Sequence, residues 1–279
     1  MRRKVLIGLG YLGFFVFGFI VSFYLTFDVG IIKSGLENLT KGGNFQLSIN
    51  RLDKYRLSGF KAVGVKIRFT DSPTTIDIDQ IQARISLIPL IFGKKKLSFK
   101  ALLYGGKVSG MVLRGKKEFR AELTAQGLDL ARLKAQPDKG LTISGKLMSK
   151  MEINLASLDN VKTWSGRIET SIGSGKISNL TYLGTSLPEI NFDQGKFNLE
   201  MKSGRAEIKT LELSSPDFPL MGQGLIEFRL PIENSLFNLE LKLSPSDSYL
   251  EQSELLKTLL PSDGRIPYQG NLAGLLSIF

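Results

Sequence analysis

The stretch FRAELTAQ, residues 119–126, sets Phe119, Ala121, Leu123 and Ala125 against Arg120, Glu122, Thr124 and Gln126. Successive side chains of a strand point to opposite faces, so this stretch is a strand with one dry side and one wet side. The same pattern recurs around it. Val63, Val65, Ile67 and Phe69 interleave with Gly64, Lys66 and Arg68, and Leu97, Phe99, Ala101 and Leu103 follow. Phe197, Leu199 and Met201, then Ile226, Phe228 and Leu230, then Phe237, Leu239, Leu241 and Leu243 repeat it nearer the C-terminus. Strands apolar on one face belong to antiparallel sheets, because parallel sheets are covered on both faces.

Over 75–88 the frame changes. Ile76 and Ile78 are even-numbered, while Ile81, Ala83, Ile85 and Leu87 are odd. A one-residue bulge near Asp79–Gln80 brings both sets to one face. Turn signals at Asp71–Ser72–Pro73, Gly93–Lys94, Gly105–Gly106, Gly115–Lys116, Ser174–Gly175, Gln194–Gly195 and Ser203–Gly204 divide the chain into a meander of roughly a dozen strands. Two further helices are expected, a short one over 128–135 and a longer one over 249–260. For the latter, Ser248 and Glu251 form a capping box and Pro261 ends the helix.

A dozen one-sided strands with so few helices pose a covering problem. The apolar face closes on itself as a flattened sandwich or barrel, or it stays as a concave surface for something else. Both outcomes are compatible with the pattern, and the fold expected is mainly β with a long, curved, largely antiparallel sheet.

The first 43 residues read differently. Residues 5–27, VLIGLGYLGFFVFGFIVSFYLTF, carry no charge. As a helix they extend about 34 Å, enough for a hydrocarbon core of about 30 Å. Arg2, Arg3 and Lys4 precede them and Asp28 follows, so the positive-inside rule puts a basic tail (1–4) in the cytoplasm and the remainder across the membrane. The run is longer than a signal-peptide core and lacks its small-residue cleavage site, which favours an uncleaved single-pass anchor. Residues 28–43 read as a linker helix stopped by Gly42–Gly43, and 44–279 as the extracytoplasmic β domain.

The chain has 279 residues, a net charge of +11, and neither Cys nor His. Without Cys there is no disulfide, thiolate metal site or lipoprotein attachment, and a bacterial periplasm suits a disulfide-free outer domain. Without His the commonest general base and metal ligand is missing. Removing Arg2, Arg3 and Lys4 from 37 cations leaves 34 against 26 acids, a net +8 on the outer domain. That balance suits anionic headgroups or acidic proteins, while nucleic acid is disfavoured for a domain outside the cytoplasm with no recognition motif. Asp77 and Asp79, with Asp71 nearby, lie on a wet strand side. Ser144 with Lys146, and Ser149 with Lys150, carry no accompanying signature of Ser–Lys catalysis. No Gly-rich phosphate loop is present. No enzyme, no metal and no cofactor are expected. Lys94, Lys95 and Lys96 are the candidate contact for anionic headgroups. Their other reading is a charged hairpin turn guarding a sheet edge.

Residues 77–111, DIDQIQARISLIPLIFGKKKLSFKALLYGGKVSGM, resemble the hallmark of AsmA-like periplasmic proteins. A strand enters a Leu-x-Pro-Leu turn at Leu87, Pro89 and Leu90, and the next strand ends at Gly105–Gly106. The preceding segment 57–63 also fits. With the anchor, the 187–192 strand start, the 248–260 helix and the closing 264–270 segment, the chain resembles the type II secretion system protein N family over nearly its whole length. The resemblance implies a non-enzymatic accessory in the bacterial inner membrane that assists export of folded proteins, with other type II secretion components as partners. The broader AsmA-like relationship implies an alternative, a lipid-binding or lipid-transfer groove for phospholipid or lipopolysaccharide acyl chains. It carries over no catalytic residues.

Overall fold

Alternation is realised as one antiparallel sheet. The computed structural model describes residues 45–56, 58–69, 75–86, 88–89, 92–132, 142–182 and 185–271, together with Gly30, Lys33, Ser34 and Asn38. The expected tail (1–4) and anchor (5–27) lie outside the described residues. No helix among the described residues is long and apolar enough to cross a membrane. Of the linker helix expected over 28–43, the four described residues are helical. Lys33 Nζ donates to the Asn50 carbonyl at 3.2 Å.

The strands are β1 (Phe45–Tyr55), β2 (Gly59–Phe69), β3 (Thr75–Ile85), β4 (Lys95–Leu103), β5 (Gly106–Arg114), β6 (Phe119–Asp129), β7 (Thr142–Ile143), β8 (Lys146–Leu155) and β9 (Trp164–Ile172). They continue with β10 (Gly175–Ser178), β11 (Thr181–Tyr182), β12 (Thr185–Ser186), β13 (Ile190–Phe192), β14 (Gln194–Lys202), β15 (Arg205–Ser214), β16 (Leu220–Glu227), β17 (Leu236–Leu243) and β18 (Arg265–Asn271). Thirteen of them form a single sheet in sequence order, β1-β2-β3-β4-β5-β6-β8-β9-β14-β15-β16-β17-β18. At about 4.8 Å per strand its twelve steps span about 58 Å. β1 and β18 stand at its two ends and do not pair with each other, so the sheet is not a closed barrel. The order follows from hairpin turns. Tyr104–Gly105 (φ 50° and 71°) and Ser203–Gly204 (φ 53° and 78°) are two-residue turns with both central residues left-handed. That geometry matches the twist of the strands it joins.

Register lines the apolar residues up. One row runs Phe60, Ala83, Phe99, Gly110, Leu123, Met151, Ile168, Leu199, Ile208, Gly224, Leu239, Tyr268. The next runs Ile85, Leu97, Val112, Ala121, Ile153, Gly166, Met201, Ala206, Ile226, Phe237. Gly110 is one place where only hydrogen fits, since a Cβ there would come within 2.9 Å of the Phe99 ring.

The frame change expected in β3 is shared by its neighbours. Asn50, Gly64 and Asp79 have no Cα partners, yet β1, β2 and β3 keep one register on both sides of that row. The three strands therefore change phase together. Leu47, Ile49, Val65 and Ile78 before the slip join Leu52, Ala62 and Ile81 beyond it in one apolar cluster. Gly64 makes the slip with φ 63°, and a Cβ there would overlap the Asn50 side chain. This corrects the expectation that Val63 shares a face with Val65, because Val63 is exposed while Ala62 and Val65 are buried. Leu230 is also corrected. β16 ends at Glu227, and Leu230 lies exposed beyond it.

Helical expectations were too generous. Among the described residues of 128–135, β6 continues to Asp129 and a 3-10 turn follows at Leu130–Arg132, while 133–135 lie outside the described residues. Over 249–260 there are two short helices, α1 (Asp247–Glu251) and α2 (Glu254–Leu259). Ser246, not Ser248, caps the first, its Oγ accepting from Tyr249 N. Ser253 interrupts the run by capping the second, as a Ser hydroxyl competing for backbone N–H groups can do. The small sheet β13-β10-β7 packs with these helices through Ile190, Phe218, Tyr249, Ile177 and Leu256, over Leu213 and Leu243.

Candidate functional site

The two faces of the large sheet differ in what they can recognise. The wet face is paired with itself. Arg120 bonds Glu122 at 2.8 Å and Lys150 bonds Glu152 at 2.9 Å; Arg167 pairs with Glu169, and Arg205 meets Glu227 at 3.2 Å. Hydrogen bonding and charge from Lys150 hold the Glu152 carboxyl below the usual range, and Glu152 in turn raises Lys150. Such exposed pairs stabilise little, but they cancel charge locally. Asp77 and Asp79 are exposed on β3. Ser144 accepts from the Lys176 backbone N–H at 2.9 Å, and Ser149 shares a hydrogen bond with Thr170 at 2.8 Å. Ser149 and Lys150, adjacent on β8, point to opposite faces and cannot act as a pair. Among the described residues no cluster of three acids could hold a metal ion.

Besides the cluster of Ile49, Ala62 and Val65 on β1 and β2, the apolar face has two contrasting parts. Across β14–β16 it buries large side chains: Leu199, Met201, Ile208 and Ile226, with Trp164 from the start of β9. Trp164 lies 5.6 Å from Phe228 ring to ring, and its Nε1 donates to the Ser157 carbonyl at 2.9 Å. The connections that end at Val161 and begin at Phe228 thus fold over this part. Across β3, β4, β5, β6 and β8 the buried residues are Ala83, Ala101, Ala121 and Ala125, and nothing larger. Phe99, Val112, Leu123 and Met151 stand half-exposed around them, and Ile85 and Leu97 are exposed. An alanine is buried when taller neighbours shade it.

Lys94, Lys95 and Lys96 lie where β3 passes to β4, at the end of the sheet shared by the β1–β2 and β5–β6 turns. These are interior strands, third and fourth of thirteen, so the edge-guarding reading of the lysines does not apply. Lys94 Nζ meets Glu118 at 2.6 Å, tying this loop to the β5–β6 turn. The segments 94–96 and 114–118 together carry Lys94, Lys95, Lys96, Arg114, Lys116 and Lys117 against Glu118 alone. The Pro89 carbonyl accepts from both Phe92 N (3.1 Å) and Lys94 N (2.9 Å), closing the loop. Ile88 and Phe92 are 73% and 75% exposed on it. Sequence reading found the lysines and missed these two side chains. The available signal was an apolar run placed in a turn, outside the alternation. Arg2, Arg3 and Lys4 lie outside the described residues. No family model, curated protein or solved structure matches the chain.

Proposed function

We propose that the chain is a non-enzymatic component anchored in the bacterial inner membrane by residues 5–27, with its β domain in the periplasm. It acts there through an apolar sheet face rather than through bond chemistry. Within that class, the resemblance of 77–111 and its flanks supports an accessory of the type II secretion system that assists export of folded proteins. The observation that carries the proposal is the five-strand stretch from β3 to β8, where the apolar face buries nothing larger than alanine. An apolar face of this extent on an extracytoplasmic domain is a surface for another molecule. Deleting the gene is expected to strip secreted proteins from the medium, and the tagged full chain is expected to co-purify with secretion components. Normal secretion with no such partners would remove the secretion reading.

A second reading, lipid binding or transfer between the inner and outer membranes, draws on the same strands. Their half-exposed Phe99, Val112, Leu123 and Met151 form an apolar strip on which acyl chains can lie, each buried methylene contributing about 0.8 kcal/mol. Mass spectrometry of organic extracts of the purified chain tests it. Phospholipid or lipopolysaccharide acyl chains in the extract support lipid handling, and clean extracts alongside intact partner binding exclude it.

A further inference from the structure

We infer that the β3–β4 loop is a membrane-docking element for an anionic lipid bilayer, with Ile88 and Phe92 as the inserting side chains and Lys94, Lys95 and Lys96 as the headgroup contacts. The apolar tip is the first ground. Ile88 and Phe92, about three-quarters exposed on one closed loop, are the most exposed large apolar side chains among the described residues. The second is charge. Six cations and one acid in 94–96 and 114–118 lie at the same end of the strands as that tip, whereas Arg120 and Lys150 on the wet face are each matched by a glutamate on their own strand. An apolar tip above a basic collar is the arrangement that buries side chains at the headgroup boundary while cations meet anionic lipids. Position is the third. The loop continues directly into Ile85 and Leu97, the exposed end of the open apolar strip, so a lipid surface held there adjoins that strip. The loop also stands at the opposite end of the strands from Phe45, where the chain enters β1.

The chain has no cysteine, which makes single-site labelling direct. The full chain, kept soluble in amphipol, is labelled with an environment-sensitive fluorophore at Ile88→Cys, at Phe92→Cys, or at Met221→Cys. Met221 is an exposed wet-face control. Vesicles of phosphatidylcholine alone, or mixed equally with phosphatidylglycerol, are then added, with brominated acyl chains as quencher. The expected result is a blue shift and quenching at 88 and 92 with the anionic vesicles only, no change at 221, and at least about tenfold weaker vesicle binding when Lys94, Lys95 and Lys96 are all changed to Gln. Labels at 88 and 92 that behave like the one at 221 would overturn the inference, as would equal responses to neutral and anionic vesicles. A response to polyglutamate but not to vesicles would assign the patch to an acidic protein and overturn it as well. Docking at the loop is separable from lipid carriage on the sheet face, because the labels report on the first and organic extracts on the second.

Discussion

The two parts of the large sheet use the same alternation and reach different ends. In β14–β16 the apolar side chains meet a second layer. Trp164, Val161 and Phe228 fold over one end of that part, and the small sheet with α1 and α2 covers the other. In β3–β8 only alanines among the described side chains are fully buried, the larger apolar ones are partly buried or exposed, and Ile153 and Leu155 at one end of β8 already reach the packed part. The wet faces of both parts carry charge, paired along one strand at Arg120–Glu122 and Lys150–Glu152 in the first and across two strands at Arg205–Glu227 in the second. Strand pattern therefore dictates which face is apolar, and the insertions and connections dictate whether that face is core or surface.

The largest effect that would sharpen this comparison is at Trp164. Trp164→Ala removes the ring that packs Phe228 and leaves the Ser157 carbonyl without its indole donor. It is expected to destabilise by about 3–5 kcal/mol. Leu123→Ala in the open part removes a half-exposed side chain and is expected to cost about 1 kcal/mol. Urea unfolding of both variants measures the difference, and equal costs would mean that the open part is packed after all.

Adding bulk tests the same point from the other side. Ala206 is fully buried between Met201 and Ile226, so Ala206→Leu is expected to overpack and cost about 1–3 kcal/mol. Ala121 occupies the equivalent row between Val112 and Ile153. There Val112 and Ile153 are only partly buried, and Ala121→Leu is expected to stay within about 0.5 kcal/mol of the parent. A comparable penalty at both alanines in denaturant titrations breaks the comparison.

Much of the sheet was legible because strand alternation is a local property. The alternation that sends Phe99, Leu123, Leu199 and Leu239 to the apolar side of their strands could be read from spacing alone, as could the turn at Ser203–Gly204, whereas the register that aligns them across strands could not. Val63 was misread because three strands slip phase together at Asn50, Gly64 and Asp79, a cooperative event visible in one strand only as the Ile78-to-Ile81 frame change. The helix over 249–260 was misread because Ser253 caps a second helix at the Leu256 N–H and so divides the run that Ser246 starts at the Tyr249 N–H. β7, β11, β12 and β13 are too short to show a period. The candidate site was half legible. A lysine triad is visible anywhere, but whether Ile88 and Phe92 are core or surface depends on what lies above them. The Gly64 slip offers a smaller test. Gly64→Ala puts a Cβ at φ 63° against Asn50 and is expected to cost about 1–2 kcal/mol by urea unfolding, because both backbone and neighbour resist it.

The smallest effect concerns the cap that makes the packed part packed. Tyr249 is 2% exposed, packs tilted against Phe218 with ring centroids 5.2 Å apart, and donates its hydroxyl to the Pro188 carbonyl at 2.8 Å. That bond ties α1 to the segment leading into β13. Tyr249→Phe keeps the ring and leaves the carbonyl unpaired, an expected loss of about 0.5–1.5 kcal/mol near neutral pH. Burial, and then the negative charge of Asp217, push the Tyr249 hydroxyl up to about 12 from its ordinary 10.0. Between those values the unfolded chain has released the proton and the folded chain still holds it. The contribution is therefore complete below about pH 10 and fades as pH rises through about 12. Urea midpoints taken near pH 8 and near pH 11 should separate the parent from Tyr249→Phe by showing a steeper fall for the parent. Parallel falls would mean that the hydroxyl is not buried and that the cap over Leu213 and Leu243 is looser than the hydrogen bond to Pro188 implies. The packed and open parts of the sheet would then differ less than their burial indicates.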